Sequence, residues 1–197
     1  MSICEYLNSC NIEHIEGNSG DLPSQTARLQ ELSCNLNFKY ILEIGFNAGH
    51  SADSFLSSSL AHVTSFDIQM NPYIDHCKKY IDRKYPTRHT LIIGDSKETI
   101  PLYAKLYPNA KFDLIFIDGD HSFEGAFQDI INCKQLAHKD TLLIIDDVIV
   151  NSNAHAEFTV GPTNACREAL NNNIIELKGF DSYQEGRGMI WGSYCFP

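Results

Sequence analysis

Short apolar runs alternate along the chain with longer segments in which apolar residues recur every three or four positions. The runs are YILEI (40–44), HVTSFD (62–67), HTLII (89–93), FDLIFID (112–118) and TLLIID (141–146). Runs this short and continuous suit strands buried on both faces, which a parallel sheet with helices on either side demands. The intervening segments read as helices. In SFEGAFQDIINCKQLAHK, Phe123, Ala126, Phe127, Ile130 and Ile131 fall near i, i+3, i+4, i+7 and i+8, and Ser122 can cap the start. Repetition through five such units predicts an α/β fold with a doubly wound sheet.

After Val150 the pattern changes. A polar loop, NSNAHAEFTVGP (151–162), leads to a helix from about Thr163 to Asn171. IIELKGF (174–180) and MIWGSY (189–194) follow, separated by DSYQEGRG (181–188). Two strands joined by a glycine-containing loop read as an antiparallel hairpin added to the sheet. Residues 1–35 read as a short N-terminal helical cap, since Leu29, Leu32 and Leu36 lie at helical spacing, and residues 36–197 form the main domain. At 197 residues the chain has the size of a single domain overall.

Composition narrows the classes. With 43% hydrophobic and 20% charged residues, and no apolar run near the roughly 20 residues of a membrane span, a membrane protein is not expected. The first residues lack the basic region and apolar stretch of a secretory signal, so a cytoplasmic location is expected. The net charge of −10 argues against nucleic acid as a partner, because phosphate-backbone affinity comes from clustered Lys and Arg. A neutral or cationic small molecule, or a metal ion, suits this charge better. Seven scattered cysteines without a C-x-x-C pair indicate neither a disulfide framework nor a zinc knuckle.

Candidate chemistry begins at ILEIGFNAGHS (41–51). Gly45 and Gly49 follow a strand and precede a helix, where glycine permits close backbone approach to a ligand. Their G-x-x-x-G spacing departs from the G-x-G-x-x-G dinucleotide fingerprint, so a pyrophosphate cradle is disfavoured, and a tight turn with no ligand stays open. Asp67 ends the second strand about 20 residues on, where an acid can take both ribose hydroxyls of an adenosine. Spacing alone does not separate NAD from other adenosine ligands.

Taken together, LEIGFNAGHS, Asp67, GDSKETIP, FIDGDHSFEGAFQDI and LLIIDD resemble a class I S-adenosylmethionine-dependent methyltransferase. The likeness is to the small O-methyltransferases that include the macrocin/mycinamicin sugar enzymes and, more distantly, the catechol type, and it covers about residues 24–194. It implies a Rossmann-like seven-stranded sheet of order 3-2-1-4-5-7-6 with an antiparallel last strand. It also implies S-adenosylmethionine as cofactor. Glu43, Gly45, Asn47, Gly49 and Ser51 would border its methionine part, Asp67 would hold the ribose, and Asp95 and Ser96 would approach the adenine, with Asp118 beside the cofactor.

IDGDH (117–121) and IDD (145–147) end two successive strands. If these are parallel neighbours, their ends lie about 4.8 Å apart, and carboxylates from both can share one cation. Asp118, Asp146 and Asp147 are therefore candidate metal ligands. An all-oxygen set favours Mg2+, with Mn2+ or Ca2+ as alternatives, over zinc. The competing reading is that each acid merely caps a helix. By the family resemblance, Asp118 binds metal and His121 removes a proton; the competing reading of His121 is an exposed residue at a helix start. His50 and His155 have weaker cases.

The function implied is metal-dependent O-methylation of a hydroxyl on a sugar, glycoside or related small molecule. The acceptor pocket is expected to use the loop after Asp147, the DSYQEGRG turn and Arg187. Alternatives are a same-fold enzyme for a phenol, catechol or amine, a non-catalytic cofactor-binding module of a larger complex, and an NAD-dependent dehydrogenase. A homo-oligomer or a place within a multidomain enzyme is compatible with this size.

Overall fold

The computed structural model describes residues 2–12, 15, 19–150 and 156–196, apart from the side chain of Glu185. Residues 151–155, the first part of the polar loop and including His155, lie outside the described residues. Seven strands form one sheet: β1 (Tyr40–Ile44), β2 (His62–Asp67), β3 (His89–Ile93), β4 (Phe112–Ile117), β5 (Ala137–Ile145), β6 (Ile175–Ser182) and β7 (Gly188–Tyr194). The order is β3-β2-β1-β4-β5-β7-β6, with β7 antiparallel to both neighbours. The expected strand order and antiparallel last strand are therefore found.

Alternation along each strand builds two apolar layers. Ile41, Val63, Leu114, Phe116 and Ile144 face one way, against α1 (Ile3–Ser9), α2 (Pro23–Ser33), α3 (His50–Ser58) and α4 (Ile74–Lys84). Leu42, Phe66, Ile115, Ile117 and Ile145 face the other, against α5 (Ser96–Leu106), α6 (Phe123–Lys134) and α7 (Val160–Asn171). Both faces are dry, which is why the strands read as unbroken apolar runs instead of alternating ones.

Three sequence expectations shift. Leu36 lies beyond the end of α2 and is 90% exposed, so the helical leucine pattern stops at Leu32. On α6, Ser122 caps as expected by accepting the Gly125 N–H, but the buried face is rotated. Phe123 is exposed and stacks on Phe127, while Asp129, Asn132 and Cys133 are buried. The helix touches both α5 and α7 as well as the sheet, so polar residues beside the apolar stripe are covered too. The helix expected from Thr163 begins earlier, at Val160, because Pro162 falls in the first turn, where its missing N–H has no helical partner to lose.

No helix among the described residues is long and apolar enough to cross a membrane. The centre of the sheet should dominate stability. Phe116, fully buried on β4 with its ring edge-on to Phe55 at 5.5 Å, illustrates this. Phe116→Ala is expected to cost about 3–5 kcal/mol, read from the urea-denaturation midpoint at unchanged slope.

Candidate active site

Hydrogen bonds that continue the parallel ladder past the strand ends align the candidate residues. Gly94 N–H donates to Asp67 O at 2.9 Å, Gly45 N–H to Phe66 O at 2.9 Å, Asp118 N–H to Ile44 O at 3.0 Å and Asp146 N–H to Ile117 O at 3.0 Å. The turns after β3, β1, β4 and β5 thus lie side by side on one edge of the sheet. This edge includes the point where strand order reverses, between β2, β1 and β4, the usual ligand crevice of such sheets.

The turn after β1 is shaped by its glycines. Gly45 sits at φ +90, and a Cβ there would lie 1.8 Å from the carbonyl oxygen of Asp118. Gly49, at φ +78, starts α3. Between them Asn47 adopts φ +44, a left-handed conformation that Asn tolerates better than most residues. Its N–H donates to Asp67 Oδ2 at 2.8 Å, and its Oδ1 accepts the Tyr73 hydroxyl at 2.6 Å. Asp67 Oδ1 also accepts the Gln69 N–H at 2.6 Å. A carboxylate offers about four acceptor sites, so Asp67 can brace this loop and still take a ribose hydroxyl.

Glu43 lies beneath the loop, fully buried. The Ser65 hydroxyl donates to its Oε2, and the Ser51 hydroxyl also faces the carboxyl. Burial, opposed in part by the Ser51 and Ser65 hydroxyls, raises its pKa to about 7. Ser65 has a single proton, so with that proton on Glu43 it accepts from His89 Nε2, 2.9 Å away. Burial lowers the His89 pKa to about 3, keeping the ring neutral, and it stacks on Phe46 of the glycine turn at 5.0 Å. Ser65, His89 and Phe46 were not singled out in the sequence; the period-two alternation placing Ser65 beside Glu43 was the available signal.

On the far side of the loop, Asp95 caps α5 by accepting the Lys97 N–H at 2.9 Å, with Ser96 opening the helix. Below them Asp129 is fully buried, and burial raises its pKa to about 6 against the neighbouring Ser96 hydroxyl.

At the ends of β4 and β5, ligand atoms of Asp118, His121 and Asp147 all lie within 4.8 Å of one another. His121 Nε2 is 3.7 Å from Asp118 Oδ1 and 3.3 Å from Asp147 Oδ2. Arg187 Nε donates to Asp147 Oδ1 at 3.1 Å. Asp147 itself takes φ +54. Asp146 stands outside the triplet: one oxygen accepts the Asp147 N–H and the other the Gln25 side chain. The converging set is therefore two carboxylates and an imidazole, in place of three carboxylates.

Charge explains the remaining geometry. The facing carboxylates of Asp118 and then Asp147 raise the His121 pKa to about 10, while burial raises Asp118 to about 6 and Asp146 well above its ordinary range. Without a cation, the imidazolium and Arg187 balance the acids. Phe158 lies beside both, 5.5 Å from the His121 ring and 5.8 Å from the Arg187 guanidinium. At Gly161 a Cβ would come within 2.2 Å of the His121 carbonyl oxygen, so glycine lets the start of α7 press on this turn. The two carboxylates, Asp118 and Asp147, are the oxygen donors a hard divalent cation takes, whereas the His121 nitrogen by itself suits softer metals.

A seven-stranded sheet with these turns on one edge defines a Rossmann-like methyltransferase fold. A family model described as a methyltransferase domain matches residues 42–148, more than half of the sequence, and the chain belongs to that family. No curated protein matches it. Among solved structures, an O-methyltransferase from Bacillus cereus in complex with SAH is similar over 98% of this chain and 89% of its own, with TM-score 0.76 and 18% identity. The O-methyltransferase TomG from Streptomyces achromogenes, involved in tomaymycin synthesis and solved with SAM, is similar over 98% and 87%, with TM-score 0.74 and 11% identity. CalS11, a TDP-rhamnose 3'-O-methyltransferase of calicheamicin biosynthesis, is similar over 87% and 78%, with TM-score 0.64 and 19% identity. At these identities the likeness establishes the fold.

The buried acid beneath the loop carries a pH signature. The folded pKa of Glu43, about 7, lies above its ordinary 4.5, so folding favours the protonated form. Its contribution is complete below pH 4.5 and is lost as pH rises through 7. Glu43→Gln should gain stability relative to the parent between those values, as measured by urea denaturation at pH 4.5 and 8; a constant difference would rule out this assignment.

Proposed function

We propose that the chain is a metal-dependent O-methyltransferase that moves the methyl group of S-adenosylmethionine to a hydroxyl of a sugar, glycoside or related small molecule. The observation that carries this reading is the convergence of Asp118, His121 and Asp147 beside the Gly45–Gly49 turn on one sheet edge. The CalS11 likeness supports a sugar acceptor of the macrocin-like kind. On this reading Glu43, Gly45, Asn47, Gly49 and Ser51 border the methionine end of the cofactor, Asp67 takes the ribose, and Asp95 and Ser96 face the adenine. Asp118 and Asp147 hold the cation, with Asp146 behind them.

An alcohol has a pKa of about 16 and histidine about 6.5, so unaided proton transfer to His121 is uphill by roughly 12 kcal/mol. When bound, a divalent cation would lower the hydroxyl pKa by several units, and S-adenosylmethionine would supply the sulfonium methyl. The residue's own part would be that of a base: His121 Nε2 would accept the hydroxyl proton as that oxygen takes the methyl group, the cofactor's sulfur keeping the electron pair of the broken carbon–sulfur bond. His121 can do so only as neutral imidazole. Once Asp118 and Asp147 turn to a cation, they no longer hold its proton.

Methyl transfer to a panel of sugars and catechols, with Mg2+ or with chelator, tests the reading alongside calorimetric titration of S-adenosylmethionine. Transfer to sugars that stops in chelator is expected. His121→Ala should lower kcat by roughly 10^2 to 10^4-fold. Full activity in chelator would remove the metal from the mechanism, transfer to catechols alone would move the acceptor to the phenol class, and preferential binding of NAD would overturn the proposal.

A further inference from the structure

A helix that the chemistry above does not use holds the acid cluster from behind. Gln25, near the start of α2, is fully buried, and its side-chain amide donates to Oδ2 of Asp146. Asp146 Oδ1 accepts the N–H of Asp147 at 2.8 Å. Asp147 is at φ +54, a left-handed conformation whose cost for an L residue the surroundings must offset. Its two carboxylate oxygens face Arg187 and His121. A line of hydrogen bonds therefore runs from α2 through Asp146 to the backbone of the residue that faces the proposed cation.

The same helix grips the hairpin. Arg28 Nε donates to Asp181 Oδ2 at 2.6 Å, and Asp181 pairs in register with Met189, next to the start of β7 that follows Arg187. α2 thus joins the two elements that supply Asp147 and its Arg187 partner. Packing alone does not call for glutamine here: a buried amide is costly to desolvate, and Gln25 Oε1 has no hydrogen-bond partner among the described residues. Its Nε2 bond to Asp146 is the interaction a leucine of similar size would lack.

We infer that Gln25 is a positioning residue: by holding Asp146, and so the left-handed turn at Asp147, it sets the divalent-cation affinity of the Asp118 and Asp147 carboxylates beside His121. The inference rests on the proposal that this group binds a cation.

Mn2+ binding to the full chain, followed by calorimetry and by loss of the free-ion electron paramagnetic resonance signal, tests it. Gln25→Leu and the unbranched Gln25→Met should each weaken Mn2+ binding by about 10–100-fold, the scale typical for a residue that orients a metal ligand. Leu29→Ala serves as the control, since it leaves a cavity in the packing of the same helix and removes no hydrogen bond. It should lower the melting temperature with little change in Mn2+ affinity. Wild-type affinity in both Gln25 variants would overturn the inference, as would equal weakening by Leu29→Ala. A parent chain that binds no Mn2+ would instead remove the cation reading itself, and the inference with it.

Discussion

The site depends on how closely the turn after β1 passes the end of β4. A side chain at Gly45 would overlap the Asp118 carbonyl, so the two turns can sit in contact only because that position has no Cβ. Their contact brings the glycine loop, bordered by Asp67, within one strand of Asp118. A longer spacing would separate the glycine loop from the acids at the ends of β4 and β5. The same close approach buries Glu43 beneath the loop, which is why its carboxyl is pushed up to about 7 and why it is linked to Ser65 and His89 instead of water.

A second constraint is electrostatic. Asp118, Asp146 and Asp147 come together in a mostly buried corner, and such a group is stable only with positive charge beside it. His121 and Arg187 provide that charge in the free chain, and both also contact Phe158. A divalent cation would take over part of this task and leave His121 free to change its protonation. Structure and chemistry are coupled here because the groups that balance the acids are those the proposed reaction would use.

Much of this was legible along the chain. The short runs 40–44, 62–67 and 89–93 located β1, β2 and β3 to the residue, because each is a brief apolar-rich segment between longer helical patterns. The acids at strand ends were legible too, since parallel strands bring successive carboxyl ends to one edge. Less visible was which face of α6 is buried. Asp129, on α6, is buried against Ser96 at the start of α5, and no apolar period marks a helix covered on more than one side. Nor did spacing disclose that Asp146, adjacent to Asp147, would turn away toward Gln25, because the direction of each side chain follows from the φ +54 turn at Asp147.

By itself, the sequence determined the class of fold, the edge on which chemistry collects and the residue types gathered there, since these follow from local hydrophobic period and from the direction of parallel strands. Only the tertiary structure decided the partners. It set His121 against Asp147 from the next strand end, Arg187 against the same acid from the hairpin, and Gln25 against Asp146 from 121 positions away in the chain. Contacts between segments that far apart depend on how whole layers pack, and no local pattern encodes that distance.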